Sequence, residues 1–234
     1  MQEVCPVCGS KELKNVDNKK YKCLACDEVF SFQNETDKGL TAKDIYNQSI
    51  DSIVEVSCVF DEEDSIGTGF CISEEGLFIT NAHVLVDTSG VKPKLSESIS
   101  ICKSKSIDFI DAKVLHIDFK TDLALLKVFS KNKYKPVKFA NKLEIGDKVV
   151  VVGNSEGQGL LLLDGLVGDI NRKYKEADAF IYNSLVANGC SGGPIFNIKG
   201  ELCGVVAASS KKTQGLNYGI ALQTVNSFIE SAKK

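Results

Sequence analysis

The chain has 234 residues, 43% of them hydrophobic, with 28 Lys and Arg against 31 Asp and Glu and a formal net charge of -3. That is enough apolar content for one well-buried domain with a small appendage, and too little positive charge to steer the molecule toward polyanions. No apolar run approaches the roughly 20 residues that a membrane-spanning helix needs, so a membrane is not an expected partner.

The N-terminal stretch carries Cys5-Pro6-Val7-Cys8 and, after fourteen residues, Cys23-Leu24-Ala25-Cys26. Two Cys-x-x-Cys knuckles so spaced are the arrangement of a zinc ribbon, here residues 1–33: each knuckle offers two thiolates, and four complete a closed tetrahedral site for one structural zinc ion. A span this short buries too little apolar surface to fold alone, so metal binding supplies the folding energy, on the order of 10 kcal/mol. A disulfide framework is the rival reading. Against it, Cys58, Cys71, Cys102, Cys190 and Cys203 fall mostly inside apolar runs, as reduced core thiols do. With no leader-like apolar core at the N-terminus, these thiols set the expectation of a reducing cytoplasm. Up to residue 32, Lys11, Lys14, Lys19, Lys20 and Lys22 balance Glu3, Glu12, Asp17, Asp27 and Glu28. Nucleic acid, held through Lys19, Lys20 and Lys22, is therefore the less favoured ligand of the ribbon, and a protein partner or substrate the more favoured one.

A polar stretch over 34–41 reads as a linker to a second domain at 42–234. Thr41 is placed to cap a helix that would carry Ile45, Ile50 and Ile53 on one face. Beyond it come many short apolar or alternating runs broken by Gly, Asn, Asp and Lys clusters, which predict an all-β domain. Gly67-Thr68-Gly69-Phe70-Cys71-Ile72 and Leu77–Leu85 read as two strands, the second ending at His83, one of two histidines. A histidine where a strand meets small polar residues suits a base held at a cleft wall, although a core histidine is the plainer reading for one standing alone. Thr121–Val128 places Asp122 at the start of an apolar strand. That is costly for a carboxylate unless it accepts hydrogen bonds, as an imidazole-orienting aspartate does.

The most informative run is Asn188-Gly189-Cys190-Ser191-Gly192-Gly193-Pro194. A serine hydroxyl attacks carbonyls poorly at neutral pH and needs a base for its proton and donors for the oxyanion that forms. Gly189 can turn its N–H inward with a backbone angle that a Cβ opposes, and Ser191 adds its own N–H. A Gly-rich turn with an incidental serine is the alternative. Near the end of the sequence, Gln223–Ile229 reads as a helix.

Together the segments around His83, Asp122 and Ser191, in that order, resemble the catalytic segments of the HtrA/Deg serine proteases of the chymotrypsin superfamily. Val149–Asn154, Gly165–Val167 and Asn217–Ala221 extend the resemblance over roughly 42–230. It implies two six-stranded antiparallel β-barrels with short helices, a catalytic triad of His83, Asp122 and Ser191, and an oxyanion hole from Gly189 and Ser191. It also implies protein or peptide substrates and chemistry without a cofactor. Leu185, six positions before the nucleophile, would line the base of the primary specificity pocket, and an aliphatic floor favours cleavage after small or aliphatic residues. Trimers are frequent in the family, and the oligomeric state stays open. Cys190 departs from the pattern, since relatives carry Asn there and digestive enzymes Asp; it is either a small packed residue or a redox-sensitive thiol. The segment 171–179 falls where relatives carry an activation-sensing loop, so latency and constitutive activity both stay open. The alternative function is an inactive protease-fold binding module acting through the ribbon.

Overall fold

The computed structural model describes residues 4–17, 20–31, 39–61, 64–87, 93–104, 106–210 and 213–233. It divides at Gly39 into two compact units. Most of the expected linker, together with Lys19, lies outside the described residues.

In the first unit β1 (Leu13–Asp17), β2 (Lys20–Cys23) and β3 (Val29–Ser31) form an antiparallel sheet in that order. The two cysteine knuckles share one backbone conformation. In each, the residue four places after the first cysteine is left-handed, Gly9 at φ 73° and Asp27 at φ 62°. Its N–H donates to the carbonyl of that cysteine at 2.9 and 3.0 Å respectively.

The second unit opens with α1 (Ala42–Ser49), whose Thr41 side chain accepts from the Asp44 N–H while Asp44 accepts from the Thr41 N–H, a complete capping box. The helix is shorter than the isoleucine spacing predicts. A 3-10 turn spans Ile50–Ser52, and Ile53 already begins a strand. The β-branched residues Ile53, Val54 and Val56 are all buried there, and two flanking strands supply ladder bonds that a helix would forgo.

The first barrel contains β4 (Ile53–Val59), β5 (Ser65–Ser73) and β6 (Leu77–Asn81), followed by the short pair β7 (Val86–Asp87) and β8 (Lys94–Leu95). Next come β9 (Ser98–Lys103), β10 (Phe109–Asp118) and β11 (Leu123–Val128). It closes in the order β10-β11-β6-β5-β4-β9. After β12 (Lys138–Phe139) the second barrel is built from β13 (Lys148–Asn154), β14 (Leu160–Tyr174), β15 (Ala177–Asn183), β16 (Pro194–Asn197), β17 (Glu201–Ser209) and β18 (Leu216–Ala221). It closes through β17 and β18, with β12 lying parallel beside β17. The expected pair of six-stranded antiparallel barrels is thus present, as is a C-terminal helix, α2 (Leu222–Ser231).

The apolar runs follow from two-sided burial. On β13, Val149 and Val151 point into the second barrel, while Val150 and Val152 join a core shared between the barrels. On β11, Ala124 and Leu126 fill the first barrel, while Leu123 and Leu125 enter the same shared core. Ile45 of α1 and Val225 and Phe228 of α2 also pack into it. A strand buried on both faces loses the polar alternation of a surface strand. No helix among the described residues is long and apolar enough to cross a membrane.

Candidate functional site

His83 lies in the 3-10 turn Ala82–Leu85 that follows β6, and Asp122 immediately precedes β11. Because β6 and β11 are paired with Asn81 opposite Leu123, the two side chains are brought together by register. His83 Nδ1 lies 2.7 Å from Asp122 Oδ2, and the His83 backbone N–H donates to Asp122 Oδ1 at 3.1 Å. Asp122 is fully buried and sits at φ 61°, a left-handed position held by its own carbonyl, which accepts from the Ala82 N–H at 3.1 Å and from Asn81 Nδ2 at 2.9 Å. A non-glycine residue so strained persists only where its surroundings over-determine it.

A third donor reaches the same carboxylate from the second barrel. Lys175, at φ 53° in the turn between β14 and β15, donates to Asp122 Oδ1 at 2.9 Å. Burial alone would push the Asp122 carboxyl up. The His83 ring and the Lys175 ammonium outweigh it and hold the carboxyl below its ordinary value. Tyr174 is pushed up by burial and by the neighbouring Asp122 charge. The segment 171–179 is therefore a tight hairpin seated on the Asp122 strand. The Glu176 N–H bonds the Lys120 carbonyl at 2.9 Å.

Ser191 belongs to the loop between β15 and β16. Gly189 at φ 91° and Gly192 at φ 81° need glycine twice over, for the angle and for room: a Cβ would collide with the Asn154 carbonyl oxygen at the first and with the Thr68 carbonyl oxygen at the second. The carbonyls of four successive residues in the loop are tied down. Asn188 O accepts from the Glu156 N–H at 2.7 Å, Gly189 O from the Thr68 hydroxyl at 2.7 Å, Cys190 O from the Gly193 N–H at 2.9 Å, and Ser191 O from the Thr68 N–H at 2.9 Å. In a trans peptide the N–H points opposite to the C=O, so the Gly189 N–H is turned away from Glu156. Among the described residues, neither the Gly189 nor the Ser191 N–H has a hydrogen-bond partner. No hydrogen bond joins Ser191 to His83 among them either. Such bonds commonly tighten only when substrate is bound.

Cys190 is fully buried beneath the loop, and burial pushes its thiol up, away from the reactive thiolate. Leu185 is 72% exposed. It lines an open cavity of about 660 Å³ with Val186, Ala187, Ser209 and Gln214. Asn217 fixes that wall from beneath: its Nδ2 donates to Ser184 O at 2.8 Å, and the Ser209 hydroxyl donates to its Oδ1 at 2.9 Å.

In the first unit the sulfurs of Cys5, Cys8, Cys23 and Cys26 all lie within 4.8 Å of one another, with Cys8 to Cys23 at 3.5 Å and Cys5 to Cys26 at 3.6 Å. The edge of a tetrahedron with metal–sulfur bonds of 2.3 Å is about 3.8 Å, so the four thiols fit a metal of that geometry.

Thr68, Lys175 and Tyr174 were not foreseen as parts of the site. Thr68 left a local signal, its place between Gly67 and Gly69, while the segment holding Tyr174 and Lys175 was singled out only through the resemblance. The lysine and tyrosine act across 53 residues or so of intervening chain, a separation that local spacing does not encode.

The family profile described as "Trypsin-like peptidase domain" matches residues 67–205, more than half of the chain. The chain is 36% identical over 160 residues to a probable periplasmic serine endoprotease, DegP-like, of Rhizobium meliloti, a match covering 66% of this chain and 30% of that protein. It is 31% identical over 177 residues to the putative serine protease HhoB of Synechocystis, covering 72% and 40%. Among solved structures, the serine endoprotease from Yersinia pestis superimposes with a TM-score of 0.72 at 22% identity, covering 82% of this chain and 66% of that one. The chain thus spans well under half the length of these two sequence relatives. The expectation of a cytoplasmic setting is corrected here, because relatives of this kind are named periplasmic. The nine free thiols that suggested a reducing compartment are either buried in apolar surroundings or gathered in the four-sulfur cluster, and neither state requires one. The chain, matched over residues 67–205, belongs to the trypsin-like peptidase family, among its HtrA- and DegP-like members.

Proposed function

We propose that the chain is a serine endopeptidase acting on protein substrates. Ser191 Oγ attacks the peptide carbonyl, His83 takes the serine proton and later gives it to the leaving amine, and Asp122 holds the imidazole with Nδ1 donating to it. The Gly189 and Ser191 N–H groups receive the oxyanion, and water then repeats the cycle on the acyl-enzyme. The observation that carries this reading is the tethering of the loop carbonyls, with those two N–H groups lacking partners among the described residues, together with an assembled His83–Asp122 pair. Leu185 offers the substrate side chain an apolar wall, favouring Val, Ala or Leu before the scissile bond. Cys5, Cys8, Cys23 and Cys26 hold one structural zinc, and the small unit recruits a protein partner or substrate. The test is turnover of an unfolded protein and of short peptides by the wild type and by Ser191→Ala. The substitution should cost roughly 10⁴- to 10⁶-fold in kcat. Wild-type protein, folded and metal-loaded, that cleaves neither substrate overturns the reading.

A further inference from the structure

Thr68 stands apart from the expected triad and oxyanion residues, yet it makes two hydrogen bonds to the nucleophile loop. It is fully buried on β5 of the first barrel. Its N–H donates to Ser191 O at 2.9 Å, and its hydroxyl donates to Gly189 O at 2.7 Å. The same hydroxyl accepts from the Asn154 N–H of β13 at 2.8 Å, and its carbonyl accepts from the Thr80 hydroxyl at 2.7 Å. All of its polar atoms are engaged, two of them on the carbonyls of the residues whose N–H groups face an oxyanion in the reading above.

The geometry of a peptide chain says what this does. The direction of the Gly189 N–H is set by the plane of peptide 188–189, and its relation to the next plane by the torsions of Gly189, the residue with least intrinsic preference. Glu156 anchors the first plane and the Thr68 hydroxyl the second. A glycine fixed on both sides cannot rotate. For Ser191 the same pair of anchors is Gly193 on one plane and the Thr68 N–H on the other. Preorganised donors are effective because they need no reorientation as charge develops, so a group that freezes them contributes to turnover without touching substrate.

We propose that Thr68 is a positioning residue for the oxyanion donors, and that its side-chain hydroxyl, shared between Gly189 and Asn154, is the part that locks the loop of the second barrel to the first. The proposal rests on the endopeptidase reading. It requires a hydroxyl at this position and not a β-branched shape, which separates Ser from Val as replacements.

The experiment compares Thr68→Val, which keeps shape and removes the hydroxyl, with Thr68→Ser, which keeps the hydroxyl, and with Ser191→Ala. kcat and KM are read separately on a peptide substrate, and amide hydrogen exchange is followed in segment 187–193. Thr68→Val should lower kcat about tenfold to hundredfold, less than outright loss of an oxyanion donor, and leave KM within about threefold. It should speed exchange in 187–193. Thr68→Ser should restore both to within about threefold of wild type. Equal behaviour of Val and wild type, or equal impairment of Val and Ser, overturns the role of the hydroxyl. If wild type itself fails to turn over, the endopeptidase reading falls, and exchange alone still decides the loop-locking: faster in Val but not in Ser supports it, unchanged in both refutes it.

Discussion

The electrostatics of the site centre on Asp122, which accepts from His83 and from Lys175 while fully buried. A buried carboxylate with two cationic or polar partners loses much when one is removed, because the charge stays behind with fewer compensations. The carboxyl is held below its ordinary value. Its partners therefore contribute stability that is present above the ordinary carboxylate range, near pH 4, and is lost as pH falls through the depressed folded value. Lys175→Met should destabilise the protein by about 1–2 kcal/mol at pH 7, a figure reduced for the solvent screening of a side chain that is 40% exposed. At a pH acid enough to protonate the carboxyl in the folded protein, the wild type and the variant should converge. Denaturant unfolding at both pH values checks this, and an equal loss at both would assign the effect to packing. Specificity also belongs to single residues. Peptides with Val before the scissile bond should be cleaved faster than those with Arg, since no carboxylate stands among the described residues lining the Leu185 cavity to pair with a guanidinium. Leu185→Asp should narrow that preference in a comparison of kcat/KM.

Among the elements, those whose purpose is written locally were legible in the sequence. Thr41 and Asp44 announce the start of α1, and Thr41→Ala should cost about 1 kcal/mol in thermal or chemical unfolding. The strand ends bearing His83 and Asp122 and the Gly-rich loop of Ser191 were legible for the same reason, each being a short run of telling residue types, although the left-handed angle of Asp122 was not. Two elements were not. α1 stops before Ile53, because isoleucine at a helical interval fits a helix face and a strand equally well, and only pairing with β5 and β9 decides between them. The 171–179 segment folds as a hairpin turn whose Lys175 reaches Asp122, a contact set by how one barrel docks on the other. Close approach is also tertiary in origin. Gly204 and Gly219 lie against the Phe180 ring, where a Cβ would collide, so the ring fills space that two glycines vacate. Phe180→Ala should cost about 3–5 kcal/mol, seen as a lower unfolding midpoint.

For the whole molecule, the resemblance carried by the segments around His83, Asp122 and Ser191 implied the two barrels, and the cysteine spacings pointed to the four-sulfur cluster. They misjudged the setting, because a buried or clustered thiol reports its surroundings in the fold and not the compartment outside. Among its described residues the small unit has one three-stranded sheet, and Cys5 and Cys23 are its only fully buried apolar side chains. Its stability should therefore be metal-derived. Chelation should expose residues 4–31 to rapid hydrogen exchange while the unfolding midpoint of the barrels is unchanged, and metal analysis should return one zinc per chain. Persistence of slow exchange in that unit after complete metal removal would contradict this.

If Ser191 is the proposed nucleophile, poised by the loop around it, a fluorophosphonate should react with it in the folded protein, and peptide mass spectrometry locates the adduct. One adduct per chain on Ser191, lost in Ser191→Ala and reduced in His83→Ala, is the predicted result. Modification at Cys190 in place of Ser191, or no modification of the folded protein, would contradict the account.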